Sequence, residues 1–110
     1  MAEEFKRAGV QGTAAVGTYA TLYEVPAGRA AVISTIAVVN TAATSATYRI
    51  GFDDTAGTPT EAEWLLYDGI SPSNDTLFFT IGVALPAGTF IRVSSSANTV
   101  TFQAFVSEIL

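Results

Sequence analysis

The chain contains no cysteine and no histidine. Without cysteine there is no disulfide staple, no thiolate metal cluster and no thiol nucleophile. Without histidine the commonest general base and the commonest metal ligand are both missing, and a Ser-His-Asp triad cannot be assembled. Lysine occurs once, at Lys6, which leaves Schiff-base chemistry a single poor candidate. Charged residues are scarce as well, at 14% of the chain, against about 25% in an average soluble domain. No apolar run approaches the roughly 20 residues of a membrane-spanning helix. The opening MAEEFKRAGVQG carries acids and no apolar stretch, so it does not read as a secretory signal. The expectation is a protein made in the cytoplasm that does not partner a membrane.

Apolar residues supply 49% of 110 positions. That length fits one domain with a real core. Too few charges remain to cover its surface, which points to association with other chains. Net charge is -5, and it is unevenly placed. The basic residues Lys6, Arg7, Arg29 and Arg49 precede residue 50, whereas Arg92 is the only base after it. No cluster of Lys and Arg exists to neutralise phosphates, so nucleic acid is not an expected partner.

Thr, Val, Ile, Phe, Tyr and Trp together fill 44 positions, and all of them suit a pleated, half-buried surface. Strands are expected over 16–25, 30–40, 47–52, 63–67, 76–83, 89–94 and 99–109, with turns every 8–12 residues or so. Residues 30–40 (AAVISTIAVVN) are apolar on both phases, which suits a strand covered on both faces. Elsewhere one phase is apolar: Tyr48, Ile50, Phe52; Leu77, Phe79, Ile81, Val83; Ile91, Val93; Val100, Phe102, Ala104, Val106. No segment reads as a crossover helix. The fold class is therefore all-β, an antiparallel sandwich of about eight strands. A jelly roll is the expected form, and an immunoglobulin-like sandwich is the alternative. Residues 1–15 lack a period and read as an N-terminal arm; the β-sandwich domain is expected over 16–110. VPAGRAAVIS (25–34) and LPAGTFIRVS (85–94) echo each other and place two similar corners, with Pro at the second position of each turn and Gly at the fourth.

Chemistry-bearing constellations are sparse. No phosphate-binding Gly-rich loop is present. The acids Asp53, Asp54, Glu61, Glu63, Asp68 and Asp75 are dense enough to raise calcium binding or glycoside hydrolysis. They fall in loops or at strand ends, and no calcium-loop pattern occurs. A solvated acidic rim is the simpler reading, with no catalytic residue, no metal and no cofactor. More informative are Phe78, Phe90 and Phe105, each on the phase opposite to the core residues around it. Three outward phenylalanines point to a subunit interface.

LYEVPAGRAAVISTIAVVNTAATSATYRI (22–50), taken with LPAGTFIRVSSSANTVTFQAFVSEI (85–109), resembles small capsid decoration (cement) proteins of tailed bacteriophages. The resemblance rests on strand-and-turn phrases. It implies a homotrimeric β-sandwich on the outer surface of the head that clamps neighbouring major capsid proteins. On that footing the major capsid protein is the expected partner, with Phe5 and Val10 of the arm as its contacts. The alternative is a tail-fibre or baseplate β domain that binds host glycan. Trp64 or Tyr67 with Asp68 would be its aromatic platform.

Overall fold

The computed structural model describes residues 3–11, 18–55, 57, 59 and 63–109. Eight strands run through them: β1 (Glu3–Gln11), β2 (Ala20–Glu24), β3 (Ala30–Asn40), β4 (Ala46–Asp53), β5 (Trp64–Ser71), β6 (Asp75–Leu85), β7 (Phe90–Ser95) and β8 (Val100–Ile109). They form two sheets of four. The front sheet has the order β1-β8-β3-β6, the back sheet β2-β7-β4-β5. Every pairing is antiparallel. The chain changes sheet at every connection except β4 to β5. That connectivity is the jelly-roll alternative of the sandwich fold. An immunoglobulin-like sandwich would instead pair the first two strands in one sheet.

The core lies between the sheets, where the alternating phases meet. Ile33, Ile36 and Val38 of β3 and Val100, Phe102 and Ala104 of β8 come from the front. Tyr48 and Ile50 of β4 and Ile91 and Val93 of β7 come from the back. Tyr48 bridges the sheets, with its ring 6.3 Å from both Phe79 and Phe102. Leu77, Phe79, Ile81 and Val83 also face inward but remain half-buried, because β6 is an edge strand.

Three expectations need correction. First, Glu3–Gln11 is not a separate arm. It is β1, hydrogen-bonded along β8 from Glu3 opposite Ile109 to Gln11 opposite Thr101. The remaining residues of the expected arm lie outside the described residues, as does Val16. Second, β3 is not covered on both faces: Val32 and Val39 stand on the outer phase and are only half-buried. Third, the two Pro-x-Gly turns are shifted by one residue. Arg29 N–H donates to Pro26 C=O (3.2 Å) and Thr89 N–H to Pro86 C=O (3.3 Å). Proline therefore holds the first position. Gly28 and Gly88 hold the third, at φ 79 and 85, where a side chain would be strained. The echoed corners sit side by side. Val25 N–H donates to Thr89 C=O (2.9 Å), and Gly88 N–H to Val25 C=O (3.0 Å).

Candidate functional site

The outer face of the front sheet is built by cross-strand rows read from the register. Phe5, Ser107, Val32 and Ala84 make one row; Arg7, Phe105, Thr35 and Thr80 the next; then Gly9, Gln103, Ala37 and Phe78. Arg7 is the single charge in these rows. Phe5 is 81% exposed and Phe78 68%; Phe105 is half-buried. Between Phe5 and Phe105 lies a hollow of about 380 Å³, lined also by Arg7, Ser34 and Ser107. A bulge shapes it. Between Ile33 and Thr35, β3 carries one residue more than β8. That extra residue, Ser34, donates its hydroxyl to Phe105 C=O at 3.1 Å. The structure thus places Phe5, Phe78 and Phe105, one expected capsid contact and two expected interface residues, on the same sheet face.

The other two site residues stand elsewhere. Val10 is on the inward phase of β1 with Lys6 and Ala8, and it packs against the core. It cannot share a contact surface with Phe5, because successive side chains of a strand point to opposite faces and the two are five residues apart. Phe90 begins β7 in the back sheet, paired with Glu24 and Asp53, and is half-buried.

The outer face of the back sheet has a different chemistry. Arg49 of β4 donates through Nε to Asp68 Oδ1 (2.6 Å) and through Nη2 to Asp68 Oδ2 (3.2 Å). Its Nη1 donates to the Tyr19 hydroxyl (3.1 Å), and the guanidinium lies 4.0 Å from the Tyr67 ring centre. Trp64 packs edge-on to Tyr67 at 5.1 Å and tilted against Tyr19 at 5.7 Å. The Asp68 carboxylate beside the guanidinium holds the Arg49 pKa above its ordinary value, and Arg49 in turn holds Asp68 below the usual carboxylate range. This arrangement depends on irregularity in β5. Relative to β4, β5 carries an extra residue between the pairs Tyr48–Gly69 and Ile50–Leu66, and a second between Ile50–Leu66 and Gly51–Trp64. Asp68 accordingly adopts φ 54, a left-handed conformation that few non-glycine residues take. Gly51 makes the opposite face of Trp64 possible: a Cβ there would lie 2.8 Å from Pro59 and 2.9 Å from the indole.

One end of the sandwich is closed by a buried carboxylate. Glu108 is 1% exposed. It accepts hydrogen bonds from the Tyr23 hydroxyl and from Arg29 Nη1 (2.8 Å), and it pairs with Lys6 Nζ (3.0 Å). Glu4 reaches Arg29 at 3.2 Å. Burial pushes the Glu108 pKa up, but the hydrogen bonds from Tyr23, Lys6 and Arg29 outweigh it and hold the group below the usual carboxylate range. The same burial, reinforced by the bond to Glu108, pushes the Tyr23 hydroxyl up. The cluster ties β1, β2, β8 and the turn before β3 together, so the charged side chains of Glu4 and Lys6 anchor β1 rather than solvate it.

The remaining acids do not converge. Asp53 accepts from Thr55 Oγ1 and Gly57 N–H, both at 3.1 Å, and Asp75 from Thr76 N–H at 2.8 Å. Glu61 lies outside the described residues. Among the described residues, no group of three or more acids could hold a metal ion. No family model, curated protein or solved structure matches the chain.

Proposed function

We propose that this chain is a structural virion protein that assembles as a homotrimer and binds the outside of a phage head, where it clamps neighbouring major capsid proteins. The observation that carries the assembly is the outer face of the front sheet: Phe5, Phe78 and Phe105 on rows with one charge, in a chain of net charge -5. Covering a phenylalanine contributes on the order of 1–3 kcal/mol. Repeating three of them around a symmetry axis can hold subunits together. The virion context rests on the resemblance of 22–50 and 85–109 to capsid decoration proteins. A trimer offers three copies of each capsid contact, and avidity then makes weak individual contacts sufficient where the symmetries match. The mechanism needs no catalytic group, metal or cofactor.

The test is reconstitution. Purified protein is mixed with expanded phage heads that lack decoration, and the particles are imaged by cryo-EM. Density at three-fold and quasi-three-fold positions of the head is the expected result. Density confined to the tail, or no binding to heads, overturns the reading.

A further inference from the structure

The front face accounts for the assembly and leaves the back face unused. Three features of that face bear on a ligand. The Arg49 guanidinium covers one face of the Tyr67 ring at 4.0 Å, and the residue is still 56% exposed, which leaves the other face for a ligand. An aromatic face left open to solvent is a stacking platform for weakly polarised C–H groups, because the ring face is electron-rich. Next to it, the fork between Arg49 and Asp68 fixes two polar groups in a known orientation. The carboxylate is half-exposed, and the fork uses two of the roughly four hydrogen bonds that a carboxylate accepts. Finally, the β5 irregularities and the left-handed Asp68 are backbone costs that simple strand pairing does not require. Such strain concentrates at binding sites, where the surrounding structure holds it. Here it sets Tyr67 and Asp68 outward together.

Charge decides the ligand class. Arg49 and Asp68 neutralise each other, and Arg92, the neighbouring cation on this face, spends its donors on Gly57 C=O, the Thr21 hydroxyl and Tyr19 C=O, so the platform itself presents no free charge of either sign. An anionic ligand would have to compete with Asp68 for the guanidinium, and a cationic one with Arg49 for the carboxylate. A ligand with an apolar C–H face and uncharged hydroxyls at its rim meets neither penalty. We propose that the back face binds a neutral pyranose saccharide, with one sugar ring stacked on the Tyr67 face opposite Arg49 and its hydroxyls hydrogen-bonded to the half-exposed Asp68 carboxylate. Trp64 and Tyr19 position the pair from behind. The site does not rest on the capsid reading, because it lies on the opposite sheet from the assembly face.

The full chain is tested by saturation-transfer NMR with cello-, malto-, manno- and lacto-configured oligosaccharides at millimolar concentration. The fluorescence of Trp64, the only tryptophan, follows the same titrations. At least one neutral oligosaccharide is expected to receive saturation and to shift the indole emission in a saturable way. Tyr67→Ala should weaken that binding about tenfold or more, whereas Tyr67→Phe, which keeps the ring, should retain it. Arg49→Lys should weaken it several-fold, since an ammonium cannot reproduce the fork. Phe78→Ser on the front face should leave it unchanged. Transfer to none of the neutral sugars overturns the proposal. So does binding that Tyr67→Ala leaves intact, or tighter binding of sialyllactose than of its neutral counterpart. A tailed-phage role can fail in the reconstitution above while this site stands, and the reverse holds equally.

Discussion

The two outer faces of the sandwich carry aromatic residues in opposite settings. On the back face, three aromatics are tied to neighbours: Tyr19 to Trp64, Trp64 to Tyr67, and Arg49 against both Tyr67 and Asp68. On the front face, Phe5 and Phe78 stand mostly in water, and one charge shares their rows. Aromatics on a sheet face are therefore not one kind of feature. Where they are cross-linked to polar side chains they form a preorganised site. Where they stand apart on a sheet face with a single charge in their rows they form a surface that gains stability only when covered.

Substitutions separate the two faces. The largest effect is expected from Phe5→Ser, Phe78→Ser and Phe105→Ser combined. At roughly 1–3 kcal/mol for each covered ring, association should weaken by about a hundredfold or more. Thermal stability should hardly change, because these rings are outside the core. Sedimentation equilibrium reads the first effect and calorimetry the second. A large drop in stability with unchanged association would reverse the assignment of the front face.

Gly51→Ala is the corresponding break in the back face. Its Cβ would press on Pro59 and Trp64, and overpacking of this kind costs about 1–3 kcal/mol. The urea midpoint should fall and the Trp64 emission should shift, with the mass of the assembly preserved.

Glu108→Gln removes the charge that anchors β1, and with it the strand that carries Phe5. A hydrogen bond to a charged group contributes about 1.5–3 kcal/mol, so a loss in that range is expected. The pH dependence identifies its source. Glu108 holds its proton less readily in the folded chain than in the unfolded chain. The stability it lends is complete above the ordinary value of 4.5 and drains away as pH falls through the depressed folded value. Urea midpoints measured from neutral pH down into acid should therefore fall less steeply in Glu108→Gln than in the parent chain. At the alkaline end Tyr23 acts with the opposite sign. Its raised pKa lends stability below pH 10 that is lost as pH rises further. The smallest effect is expected from Phe90→Ser, within about 1 kcal/mol in stability and with no change in assembly mass, because Phe90 lies on the back sheet.

Much of the fold is legible in the sequence because strand alternation is strict. Val100, Phe102, Ala104 and Val106 declare the inner face of β8 without ambiguity, and the turn residues mark where strands end. The same phase continues to Glu108, and that was the available sign of a buried carboxylate. β1 is not legible, since Glu4 and Lys6 look like solvated charge until Glu108 and Arg29 are placed beside them. The turn positions fail by one residue because Val25-Pro26-Ala27-Gly28 admits two registers, and only the hydrogen bond to Arg29 selects one. On the back face, Trp64, Tyr67 and Asp68 are visible as neighbours in sequence. Arg49 and Tyr19 are not, because cross-strand pairing and two β5 irregularities bring them in.

The proposed homotrimer requires the front face to be an assembly surface. Light scattering of the full chain after size exclusion at micromolar concentration tests this most directly. The predicted mass is about three times the 11.5 kDa of one chain. A single-chain mass at that concentration would contradict it.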